Sequence, residues 1–252
     1  MNSLSERSTL GGGSFQSTRW TLVLAAGAEN ATPSQSHEAL SELCRIYWRP
    51  VYLFLRRNGH SSDDAQDLTQ GFFADLIETR SYARADREKG RFRSFLLGAL
   101  KHFVADERAK EQTLKRGGGK QFEPLEEWAL REAEAQISTG FHTNADALYE
   151  RGWAAALLRQ TFSRLAEECA MSGKTALYDS LKPYVAIDRE GMVPYAELSA
   201  RLRRPAATLR SDLTRLRARY RAILREEVGG TVATPADVDD ELRYLCQVIA
   251  AT

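Results

Sequence analysis

The chain has 252 residues, 43% of them hydrophobic, and its 35 lysines and arginines nearly balance 34 carboxylates, leaving a net charge of +1. That length and apolar content supply one large core or two small ones, and no run approaches the roughly 18 apolar residues that a membrane span requires. Cys44, Cys169 and Cys246 are far apart and form no CxxC pair, which argues against a disulfide framework or a zinc site and leaves them as small core residues.

Residues 1–36 read as a partly disordered N-terminal extension, with three glycines at 11–13 and a short apolar patch at Trp20, Leu22, Val23 and Leu24. The opening residues lack the apolar core of a secretory signal, so the expected compartment is the cytoplasm. From His37 onward Leu40, Leu43, Cys44, Tyr47, Val51, Phe54 and Leu55 recur at three- and four-residue steps, which predicts a helix that Pro50 should kink or break. Asn58 and Gly59 mark a turn. Ser62 or Asp63 is placed to cap a second helix with Asp63, Asp64 and Asp67 near its start and Ala65, Leu68, Phe72 and Leu76 as its apolar stripe. A polar loop to Gly90 precedes a third helix with Phe92, Phe95, Leu96, Leu100, Phe103 and Val104 facing inward, the phenylalanines serving as core. Residues 117–147 are acidic and irregular and read as a linker.

A second helical segment covers residues 148–230. Trp153, Leu157, Leu158, Phe162 and Leu165 keep helical spacing, and Leu177, Leu181 and Tyr184 follow around a break expected at Pro183. Residues 195–202 and 205–226 predict two helices joined by a very short turn. Thr234 and Pro235 combine an N-cap with proline at the first helical position, opening a helix with Val238, Leu242, Leu245 and Ile249 on one side. The segment 231–252 is therefore expected to dock as a C-terminal extension. With no β-branched alternation, the predicted fold is all-α: two small helical domains, residues 37–116 and 148–230, joined by a flexible linker, plus the C-terminal helix.

The near-neutral total hides two basic segments. Residues 84–120 carry eleven cations against five carboxylates, and residues 195–225 carry nine arginines against Glu197 and Asp212. Two separated basic surfaces point to a long polyanion as partner. In the second segment Leu209, Leu213, Leu216, Tyr220 and Ile223 share one stripe, while Arg210, Thr214, Arg217 and Arg221 lie about a quarter-turn away. A short helix ahead of such a helix is the geometry that seats the second in a major groove. Thr208, Arg210 and Ser211 are then placed to reach base edges and Arg215, Arg217 and Arg219 to reach phosphates, with Arg204 and Thr214 completing the expected distal DNA contacts. No HExxH, GxSxG, P-loop or dinucleotide glycine pattern occurs and the four histidines are scattered, so an enzyme, a metal site or a cofactor is not expected.

Three stretches together resemble bacterial RNA polymerase sigma factors of the extracytoplasmic-function type. Asp64-Ala65-Gln66-Asp67-Leu68-Thr69-Gln70-Gly71-Phe72-Phe73 is similar to the family's acidic region-two helix, and the resemblance implies that Asp64, Asp67, Gln70 and Phe73 bind the β′ clamp of core RNA polymerase. Phe92-Arg93-Ser94-Phe95-Leu96, with His102 and Asp106, resembles the helix that melts and reads the proximal promoter element. This implies DNA contacts by Arg91, Arg93, Lys101, His102, Arg108 and Lys110. Residues 195–225 resemble region four, which binds the distal promoter element and touches the β flap. The glycine-rich linker start, the Trp153 helix and the tail around residues 239–243 are similar to a subgroup with a C-terminal extension. An anti-sigma factor or another regulator is a further partner that this resemblance implies. The chain departs from the pattern at Gly71, at His102 where asparagine is usual, and at Arg108, one residue early. Arg203 occupies the turn where glycine is common, and a positive φ there would cost a side chain roughly 1–2 kcal/mol. A stand-alone helix-turn-helix regulator would leave residues 37–116 unexplained.

Overall fold

The computed structural model describes residues 33–79, 91–113, 127–139, 144–185, 195–232 and 234–251, and every regular element among them is helical. The expected all-α class holds. No described helix is long and apolar enough to cross a membrane. The Trp20 patch, the loop before Gly90 and the Lys115–Lys120 stretch lie outside the described residues.

Helix α1 (Pro33–Arg57) continues through Pro50 instead of breaking there. The turn at Asn58 and Gly59 follows, with Gly59 at φ 91, and helix α2 (Ser62–Glu78) begins one residue after its N-cap Ser61. Neither Ser62 nor Asp63 is the cap. Ser61 Oγ accepts from the Asp64 amide at 3.1 Å and donates to the Asp64 carboxylate at 2.6 Å, so one serine satisfies two groups at the helix start. Helix α3 (Phe92–Thr113) buries Phe92, Leu96, Leu100 and Val104 as its periodicity predicts.

Within the stretch read as an irregular linker lies helix α4 (Glu127–Thr139), which lies on α1. Ala129 and Ala133 face the core. Arg49 reaches the Glu132 carboxylate at 2.9 Å and its carbonyl at 3.1 Å, and Arg56 grips Glu134 through two nitrogens at 2.6 and 2.8 Å. The Arg56 guanidinium, joined by the Tyr52 hydroxyl, holds the Glu134 carboxyl below its usual range.

Helix α5 (Ala145–Met171), capped by Asn144, is the longest, about 40 Å at 1.5 Å per residue. Its first half carries Leu148, Tyr149, Trp153 and Leu157 into a cluster with Tyr47, Val51 and Leu55 of α1 and Phe72 and Phe92. Its second half meets α6 (Thr175–Val185) and α8 (Ala206–Gly229), and its Phe162 joins another cluster formed by Leu181, Tyr184, Leu209 and Leu213 with Leu198 of α7 (Tyr195–Leu202). Pro183 sits in the last turn of α6, two residues before its end. A capping box at Thr234 and a 3-10 turn, Pro235–Asp237, open α9 (Val238–Ala250), which returns to α5 and α8. The first cluster thus gathers residues from both expected domains and from the C-terminal helix, including Val228, Val232, Val238 and Leu245.

Pro50 lies where α1 and α5 cross. A Cβ at Gly152 would lie 3.0 Å from Pro50 Cα, 3.3 Å from Pro50 N and 2.9 Å from Leu53 Cδ1. The missing side chain of Gly152 leaves α5 free to pass this close to the backbone of α1 at Pro50. Gly152→Ala in an ordinary helix would gain about 1 kcal/mol; here overpacking against backbone should reverse the sign, lowering stability by roughly 1–3 kcal/mol in denaturant unfolding.

Candidate nucleic-acid interface

The α7–α8 pair is built from local rules. Leu198 and Leu202 of α7 and Leu209, Leu213, Leu216 and Tyr220 of α8 turn toward one core, as the apolar stripe predicts. The turn between them closes by two backbone bonds, Arg203 N–H to the Ala200 carbonyl at 3.3 Å and Arg204 N–H to the Ser199 carbonyl at 3.1 Å. That pairing is a Schellman ending, which requires a left-handed residue after the helix. Arg203 takes that role at φ 49, the one non-glycine residue with positive φ among those described. The turn is therefore the strained one that the sequence flagged. Ser199 Oγ donates to the Arg204 carbonyl at 2.5 Å and adds a tether. Pro205 follows as the residue ahead of α8, where it suits a chain leaving one helix and entering another.

The outer face of this pair carries Arg201, Arg203, Arg204, Thr208, Arg210, Ser211, Thr214, Arg215 and Arg221, all exposed. Asp212 does not stand as a free acceptor: it holds Arg204 at 3.0 Å and Arg215 at 3.1 Å, orienting both cations along the face. Thr214 spends its hydroxyl on the Arg210 carbonyl at 2.9 Å. Arg217, exposed as they are, is also engaged within the chain. Its Nε and Nη2 donate to the Tyr184 carbonyl at 3.0 and 2.6 Å, near the end of α6, where a cation complements the open carbonyls. It fastens α8 to α6. Arg219 is likewise tied inward, to Glu168 at 2.6 Å through each of two nitrogens.

On α2 the exposed carboxylates Asp64, Asp67, Asp75 and Glu78 fall within about a quarter-turn of one another at helical spacing. Gln70 is half-exposed beside them. Phe73, expected among the partner contacts, is buried at 4% exposure with its ring 5.3 Å from that of Phe72. It is a core residue, and the helical stripe is one position wider than the sequence reading drew it.

The basic segment on α3 departs most from expectation. His102 and Arg108 are exposed, Lys110 pairs with Glu107 at 2.8 Å, and Lys101 pairs with Asp146 at 2.6 Å. Arg93, expected at the DNA surface, is 2% exposed. Its guanidinium carbon lies 4.4 Å from the ring centre of Trp153 and 4.4 Å from that of Tyr244. In this sandwich Nε meets Glu150 at 2.7 Å and Nη1 meets the fully buried Glu241, while Tyr149 donates to the Arg93 carbonyl at 3.1 Å. Arg91, half-buried, reaches the other Glu241 oxygen at 2.7 Å. Burial raises the Glu150 carboxyl above its usual range, against the opposing pull of Arg93. Glu150, Glu241 and Tyr244 were missed in the sequence. A signal existed: Glu241 falls on the Val238–Leu245 stripe at helical spacing, and a carboxylate on a buried stripe implies a buried cation.

Among the described residues no group of histidines, cysteines and carboxylates is placed to hold a metal ion. Set against protein-family models, curated proteins and solved structures, the chain matches none.

Relieving the strained turn should be visible directly. Arg203→Gly is expected to raise stability by up to about 1 kcal/mol, the left-handed penalty less the added chain entropy of glycine. Denaturant unfolding of the two proteins checks it, and an unchanged or lower midpoint would show that the turn relaxes without cost.

Proposed function

We propose that the chain is a sigma-type transcription initiation factor, which brings core RNA polymerase to promoter DNA in the cytoplasm. The observation that carries this reading is the α7–α8 helix-turn-helix, whose outer face is cationic while its inner face packs. Thr208, Arg210 and Ser211 lie in the first turns of α8, where a helix in the major groove offers side chains to base edges. Arg201, Arg204, Arg215 and Arg221 flank them and suit phosphates, which contribute affinity without sequence information. A solvated basic helix would not need the tight turn or the oriented Asp212 pairs.

The acidic face of α2 supports the polymerase half. Asp67 and Gln70 make no ion pair or hydrogen bond among the described residues, so these groups are open to arginines of a partner helix. Asp64 is partly committed to its cap. Under this reading His102 and Arg108 remain as the exposed α3 groups for the proximal element, and the β flap and a regulator such as an anti-sigma factor complete the set of partners. A stand-alone helix-turn-helix regulator is the second reading, favoured by the burial of Arg93 and Phe73, which removes two of the expected region-two contacts.

Capture on tagged core RNA polymerase separates the two. A sigma factor should co-purify, and the Asp67→Ala, Gln70→Ala double variant should lose recovery about tenfold, roughly 1.4 kcal/mol. Absence of capture, or capture indifferent to the double change, would sink the polymerase half and leave the regulator. For the DNA half, Arg210→Ala is expected to lose about 1–3 kcal/mol of discrimination between selected and random duplexes. Anisotropy titrations on both DNAs read this, and an equal loss on each would mean that Arg210 contacts only backbone.

A further inference from the structure

The C-terminal helix α9 opens with three carboxylates, Asp239, Asp240 and Glu241, and two of them reach the two basic segments of the chain. Glu241 takes Arg91 and Arg93 from the α3 segment, and Asp239 takes Arg225 from the α8 segment. Glu150 of α5 completes the set around Arg93. Beyond the ion pairs, Tyr244 covers one face of the Arg93 guanidinium, Val238 and Leu245 enter the core, and Arg151 donates to the Ala251 carbonyl. One short helix therefore engages cations from both basic segments of the chain.

The chemistry of this contact is unusual for a merely structural clasp. Removing two carboxylates and two guanidiniums from water carries a heavy desolvation penalty, and apolar residues of the same volume often hold such a site at least as firmly. A charged clasp differs in another respect. A carboxylate presents a guanidinium with the same paired oxygens as a phosphate, so the two are competitors for one fork. Arg93 cannot meet a phosphate from its place between Trp153 and Tyr244, where it is 2% exposed, unless α9 moves away.

We infer that α9 is an intramolecular lock: Glu241, with Glu150, occupies Arg91 and Arg93 in the place of nucleic-acid phosphates, and a nucleic acid and the docked helix are alternative ligands of these arginines. This rests on the DNA-binding reading above. It assigns the C-terminal extension a regulatory role on the α3 surface. Arg225 is freed in the same step, so unlocking restores cations to both basic segments at once. The exposed side of α9, with Asp240, Arg243 and Gln247, stays available while the helix is docked.

The test uses the full chain and a fluorescein-labelled duplex with an unpaired fork. Glu241→Gln, which keeps the shape and removes the charge, should tighten binding at least fivefold and steepen the dependence of log Kd on log salt by about one to two ions. Adding Arg93→Gln to that variant should return both to the wild-type values. Tighter binding that survives loss of Arg93, or no tightening in a folded Glu241→Gln protein, overturns the lock. Because removing one partner of a buried pair can unfold a protein, amide exchange on the unchanged chain gives a second reading. Residues 238–250 should lose protection when the fork is saturating, while α1 keeps its own. Retained protection at 238–250 overturns the proposal even if the variant does not fold. The two readings fail differently. If neither wild type nor variant binds the fork, DNA binding itself falls. If the fork binds in an Arg210-dependent way and α9 stays protected, only the lock falls.

Discussion

The close passage of α5 over α1 at Gly152 and Pro50 is the constraint on which the rest depends. Because Gly152 has no Cβ, α5 passes so close to α1 that an added methyl group would meet Pro50 and Leu53. The approach lets Trp153, the largest fully buried side chain, sit beneath α9. From there the second half of α5 runs beside α8, and Arg164, largely buried, pins the two by pairing with Glu226 and Glu227 at 2.6 Å each. A single rod thereby sets the spacing between the helix-turn-helix at one end and the α3 surface at the other.

Electrostatics then sort the cations into two populations. Arg49, Arg56, Arg93, Arg164, Arg217 and Arg219 each join one helix to another through carboxylates or carbonyls. Arg201, Arg203, Arg204, Arg215 and Arg221 line an outer face. The distinction decides what the surface can bind, because an arginine already satisfied by a buried carboxylate offers no counterion release. Counting cations along the sequence overstates the basic surface for this reason. The +1 total is closer to the behaviour of the packed chain than the local excesses are, except on the α7–α8 face.

How much was legible follows from how local each feature is. The helix-turn-helix was readable to within three residues because its stripe, its short turn and the conflict at Arg203 all lie close together in the chain. The docked tail was readable from its Thr234 cap and its apolar side. Helix α4 was not, because its inward residues include Ala129 and Ala133, whose small apolar signal is drowned by neighbouring carboxylates. Those carboxylates proved to be the adhesive, through Arg49 and Arg56. Pro50 marks no helix boundary, and the glycine of the helix that crosses it lies a hundred residues away in the chain. Arg93 was assigned to the surface since it sits in a basic run, while the group that buries it, Glu241, is 148 residues distant.

The C-terminal helix turns that last separation into an argument about design. A buried ion cluster contributes little net stability over an apolar contact of the same size, so its presence calls for a property that apolar contacts lack. Reversibility under a competing polyanion is such a property, and it needs the competitor to be chemically equivalent to the group displaced. Carboxylate and phosphate meet that condition at a guanidinium. Trp153 and Tyr244 contribute the complementary half: their rings favour the cation whether or not a carboxylate is present, through its charge against the ring faces. The arginine is thereby held ready, and the identity of its anion is left to competition. The same reasoning explains why the clasp ends in Arg225–Asp239, an exposed pair that is weak by itself, rather than in another buried one. A lock that opens has to be loose at one end.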